Sequence, residues 1–127
     1  MSRRLSGHPA NDKLPPTPSG VLGPDKFGAL GSNDFTAWVG PWGTSYTANL
    51  TPDKTTGLGS WTEDMFIKAL RTGKHQGEGR PILPPMPWPN IAQMTDADLN
   101  AVWAFLQTLP PIQNAVPDPV APPAPPK

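Results

Sequence analysis

Met86 stands in the run Arg80 to Asn90, RPILPPMPWPN, with prolines at 84, 85, 87 and 89 and a tryptophan at 88. A thioether is a soft, neutral donor, so it binds a transition metal weakly and gains from being held in place beforehand. Each proline fixes φ, which leaves the unbound loop less freedom to lose when the sulfur engages a metal. Trp88 is suited to shielding such a site from water. The plainer reading makes Met86 a gap-filling apolar residue in a stiff loop.

Few other residues offer chemistry. His8, in SGHP, and His75, in GKHQGEG, are the two histidines. Either is a possible metal ligand, but local hydrogen bonding accounts for His8, and His75 follows a helix end where a cation is favoured. Glu63, Asp64, Asp96 and Asp98 fall in the first turns of two helical patterns, where the helix dipole explains them. No nucleophile or phosphate loop accompanies them, so an enzymatic reading has little support. Asn49 in NLT fits a glycosylation acceptor, yet Pro52 follows closely and Asn49 reads as a turn residue. The chain has no cysteine, which removes disulfides, zinc-thiolate sites, iron-sulfur clusters and thiol nucleophiles together.

These residues must be positioned by a small core. A chain of 127 residues suits one domain. Its 20 Pro and 12 Gly reach the level where disorder competes with folding, while five Trp and four Phe are too many large apolar groups to leave unburied. Ten basic and ten acidic side chains cancel, so no broad field attracts nucleic acid or an anionic membrane. The start, MSRRLSGHPANDK, has no apolar run after its arginines, which argues against a signal peptide or a membrane span.

Residues 1–31 read as an extended Pro/Gly-rich surface segment, with LPPTPSG and LGPD as turn or polyproline signals. Asn33 to Thr51 reads as loop with at most a brief strand pair. Ser60, three residues before Glu63, suggests a capping box for a helix over WTEDMFIKALRT, with Gly73 as its left-handed cap. Thr95 precedes DADLNAVWAFLQTL, which sets Leu99, Val102, Trp103 and Leu106 on one helical face. Pro110 and Pro111 end that helix. The tail after Val116, PDPVAPPAPPK, has too little side-chain variety to pack and reads as semi-rigid polyproline.

Together the spaced motifs NLTPD, GLGSW, ALRTG, GRPILPPMPW and TDADL are far more specific than any one alone. Over roughly Ser6 to Pro119 the chain resembles the C-terminal two-thirds of class I c-type cytochromes, notably bacterial periplasmic electron carriers and cytochrome subunits of dehydrogenases. The resemblance implies a mainly α, loop-rich cytochrome c-like domain over 32–115, with two clear helices and a Pro-rich tail over 116–127. It implies haem c as cofactor, Met86 as the distal axial ligand, and Phe66, Leu70, Leu83 and Trp88 as apolar positions lining a haem pocket. Arg80 is either a partner for a haem propionate or a solvated loop residue. The implied role is electron transfer with a periplasmic dehydrogenase or oxidase partner, not catalysis.

One departure is severe. Haem c is attached through C-x-x-C-H, whose histidine also binds the iron, and this chain lacks both cysteines. The expectation is therefore of a cytochrome domain without its N-terminal attachment segment. Such a chain would be weakly stable alone, because the last helix lacks a packing partner along Leu99, Val102, Trp103 and Leu106. The alternative is a haem-free interaction module whose old pocket, at Phe66, Leu70, Leu83 and Trp88, is an exposed apolar groove.

Overall fold

A computed structural model describes residues 3–123; the last four residues of the Pro-rich tail, 124–127, lie outside the described residues. The fold begins with a small antiparallel sheet. Gly40 and Gly43 flank a two-residue loop, Pro41-Trp42, which turns β2 (Ala37–Gly40) directly into β3 (Gly43–Tyr46). A short strand β1 (Leu30–Gly31) pairs on the other edge of β2, giving the order β1-β2-β3. The region Asn33 to Thr51, expected as loop with at most a brief strand pair, holds that pair as β2 and β3, and the third strand comes from the end of the segment read as extended surface chain.

The helices follow. Helix α1 (Glu63–Thr72) starts at Thr62, whose hydroxyl accepts from the Met65 N–H at 3.1 Å. Ser60 is not the cap: the Trp61 N–H bonds back to Leu58, so a turn occupies the residues before Thr62. Gly73 ends α1 in the left-handed region, with φ 70°, and its N–H reaches the Ala69 carbonyl at 2.9 Å. A 3-10 turn over His75–Gly77 comes next, then the single-turn α2 (Trp88–Ile91) and the longer α3 (Asp96–Gln107). Thr95 caps α3 by accepting from the Asp98 N–H at 3.1 Å, as its sequence position requires.

The core lies between α1 and α3. Phe66 and Leu70 from α1 meet Leu99 and Leu106 from α3, with Leu58 from the preceding loop. Trp103 tilts against Phe66, ring centroids 5.2 Å apart. Only part of the expected apolar face of α3 is therefore uncovered. Leu99 is fully buried and Leu106 buried, while Val102 and Phe105 are exposed. Ideal spacing placed Val102 with the buried set, but the cluster packed on α1 takes in Leu99, Trp103 and Leu106 and stops short of Val102.

Two segments expected to stay outside are tied in by hydrogen bonds. Ser6 and His8 are buried within the stretch read as extended surface chain. Asn114 holds them: its amide donates to the Ser6 and His8 carbonyls at 2.8 and 2.9 Å, and its oxygen accepts from the Ala10 N–H at 2.9 Å. The tail, read as unable to pack, pairs at Val120 with Thr44 on the free edge of β3, through two backbone bonds of 2.8 and 2.9 Å. Gly43 permits this close approach, since a Cβ there would overlap the Val120 carbonyl. Backbone pairing needs no side-chain variety, which is why composition concealed it.

Asn49 is more than a turn residue. It is buried, its amide donates to the Ile112 carbonyl at 2.8 Å, and its oxygen accepts from the Thr51 N–H and hydroxyl. Among the described residues no helix is long and apolar enough to cross a membrane.

Candidate functional site

The Met86 loop is built on a shortage of donors. Of Pro84, Pro85, Met86 and Pro87 only Met86 has a backbone N–H, and it donates to the Leu83 carbonyl at 3.3 Å. The loop must otherwise be held through its carbonyls. Ser45, on β3, donates its hydroxyl to the Pro84 carbonyl at 2.6 Å, and the Trp42 indole N–H donates to Ser45 at 3.1 Å. The loop entrance is tied to α1 as well: the Ile82 N–H bonds to Gly73 and the His75 N–H to Arg80, both at 2.8 Å.

Met86 itself is 40% exposed at the surface of this frame. Trp88 is half-buried, with its indole across Gly73. Leu83 is half-buried. Phe66 and Leu70 are buried against α3, so the apolar groove imagined for a haem-free module is not exposed at those two positions. Their helical spacing matches an inward face, and α3 supplies what they face. Arg80 is exposed, and among the described residues its guanidinium reaches only the adjacent Pro81 carbonyl, at 3.4 Å.

Neither histidine is presented as a ligand beside Met86. His8 is buried, with Nδ1 2.8 Å from the Thr36 hydroxyl, Nε2 3.4 Å from the Asp12 carbonyl and its ring 4.8 Å from that of Tyr46. His75 meets the edge of Trp61, centroids 5.0 Å apart. His75 is exposed as a whole, but its partial burial, and secondarily the charge of Arg80, pushes its pKa below the ordinary 6.5, which favours the neutral ring. Among the described residues no group of three His, Cys, Asp or Glu side chains is arranged to hold a metal.

Two carboxylates, Asp96 and Asp53, likewise have structural partners. Asp96 pairs with Arg71 at 2.6 Å, and that guanidinium also donates to the Ala92 and Met94 carbonyls, joining the end of α1 to the start of α3. Asp53 accepts from the N–H and hydroxyl groups of Thr55 and Thr56, chiefly Thr56, and these bonds lower its pKa. Sequence reasoning missed Ser45 and Asn114, whose partners lie far along the chain, and Trp42, which acts through Ser45.

The donor set fits the methionine side of a haem: one presented thioether, a stiff loop and an indole beside it. It does not fit the covalent side, which needs two thiols and a histidine.

No family model matches the chain. Known proteins do. The chain is 42% identical over 76 residues to the gluconate 2-dehydrogenase cytochrome c subunit of Pantoea cypripedii, a match covering 59% of this chain and 17% of that protein. It is 41% identical over 81 residues to the cytochrome c subunit of the quinone alcohol dehydrogenase of Gluconobacter oxydans, covering 61% and 17%. The fructose dehydrogenase cytochrome subunit of Gluconobacter japonicus is 38% identical over 68 residues, covering 54% and 14%. The chain's relatives thus include cytochrome subunits of dehydrogenases. It spans 17% or less of the length of these three.

Proposed function

We propose that this chain forms the methionine-bearing part of a c-type cytochrome domain, an electron carrier for a periplasmic dehydrogenase or oxidase. Met86 would hold the haem iron through its sulfur, and the C-x-x-C-H residues would come from a polypeptide segment outside these 127 residues. Haem iron, when bound, supplies a one-electron couple. The chain's own task is to present the sulfur, hold it in one geometry and keep water away.

One observation carries this reading: the part-exposed Met86 sits on a proline-stiffened loop held from β3 and α1, in a chain whose relatives include cytochrome c subunits. Preorganisation suits a weak donor, because the loop's ordering cost is met during folding rather than at ligation. Trp88 and Leu83, half-buried in the same loop, and Phe66 and Leu70, buried in the helical core, are the apolar positions that would line the pocket. Arg80, exposed at the loop entrance, is free to meet a propionate.

The test is spectroscopic. Haem is titrated into the purified chain and into the Met86→Ala variant, alone and with a separately expressed C-x-x-C-H segment from one of the relatives. A wild-type Soret band that shifts on replacing Met86 supports ligation. Identical spectra from the two chains, with and without the added segment, reject it and favour the haem-free interaction module, for which the absence of cysteine argues.

A further inference from the structure

The geometry points to Ser45 as the residue that positions the Met86 loop, a role resting on the reading of Met86 as the functional sulfur. The need for such a residue follows from the loop's composition. Three of its four central residues lack an N–H, so the chain cannot brace itself by turn hydrogen bonds beyond the single Met86 to Leu83 contact. A donor must come from elsewhere, and it must be aimed at a carbonyl.

Ser45 meets both conditions. A serine hydroxyl has one proton and two lone pairs. Trp42 donates to one lone pair at 3.1 Å, and the proton is directed to the Pro84 carbonyl at 2.6 Å. Trp42 thereby sets the orientation of a group that would otherwise rotate. Ser45 is itself buried, so water does not compete well for its hydroxyl.

The anchor behind Ser45 is stiff on both sides. Ser45 lies opposite Trp38 on β2, and the neighbouring Thr44 is bonded to Val120 on the other edge of β3. A rigid strand therefore holds a carbonyl two residues before the sulfur. The result is a fixed distance from sheet to thioether, maintained without any contact to the sulfur itself.

Amide hydrogen exchange and methyl-labelled methionine NMR on the full chain test the role, with Met65 and Met94 as internal references. In Ser45→Ala the Met86 amide should exchange about fivefold to tenfold faster, as expected for losing one hydrogen bond. The Met86 methyl resonance should move while those of Met65 and Met94 stay in place, and Ser45→Thr should restore it. If Ser45→Ala does not fold, Trp42→Phe keeps the hydroxyl but frees its orientation, and a smaller loosening at Met86 is expected. Unchanged Met86 signals in whichever of these variants folds, or failure of Ser45→Thr to restore them, overturns the role. If the Met86→Ala haem spectra match wild type while Ser45→Ala still loosens the loop, the ligand reading alone falls.

Discussion

The indole of Trp88 lies across Gly73, so close that a Cβ on Gly73 would overlap the ring. Gly73 also holds a left-handed φ of 70° as the cap of α1. One residue thus ends a helix and makes room for the aromatic neighbour of Met86. Gly73→Ala should cost about 1–2 kcal/mol from backbone strain alone, plus whatever moving the indole adds. Urea denaturation measures the total. A shifted Trp88 indole N–H resonance, with the other four tryptophans unmoved, would locate the damage.

Asn114 joins residues at opposite ends of the chain by three hydrogen bonds, to Ser6, His8 and Ala10. At about 1 kcal/mol net for each bond, Asn114→Ala should destabilise by roughly 2–4 kcal/mol. The urea midpoint should fall with little change in slope. A loss under about 0.5 kcal/mol would show that the first residues contribute little to folding.

The two sides of α3 should respond differently. Leu99, fully buried between α1 and α3, should cost about 2–5 kcal/mol when cut to alanine. Val102, exposed on the same helix, should cost under about 1 kcal/mol. Equal losses would mean that Val102 is covered in solution. The pair also tests the expectation of weak stability, since that expectation rests on how much of α3 lacks cover.

His75 should make stability depend on pH. Its pKa is held below 6.5 by burial first and by Arg80 second, so the folded state favours the neutral ring. The stability linked to it is complete above pH 6.5 and is lost as pH falls through the lower folded value. Urea midpoints should therefore decline from about pH 7 to about pH 5, and His75→Phe should flatten part of that slope. Arg80→Gln should raise the ring's titration midpoint, followed by NMR.

Much of the frame was legible because its signals are local. Thr95 and Gly73 sit directly beside the helices they bound, and a cap needs only neighbours three or four residues away. The start of α1 was misread by two residues because Ser60 and Thr62 are both chemically able to cap; the turn at Leu58 to Trp61 selects Thr62. The inward set Phe66, Leu70, Leu99 and Leu106 was likewise contained in helical spacing. Val102 shows the limit of spacing, since it shares the apolar face by sequence but lies outside the packed cluster.

By itself the sequence determined the stiffness of the Met86 loop, the absence of thiol chemistry and the approximate extents of α1 and α3, since each depends on residue type or near-neighbour order. Tertiary structure alone decided that Ser45 holds Pro84 across 39 residues, that Asn114 reaches Ser6 across 108, and that Val120 closes the edge of β3. The physical reason is the same in all three. A backbone carbonyl or strand edge has no residue identity to advertise its partner, so only the folded path of the chain can bring donor to acceptor.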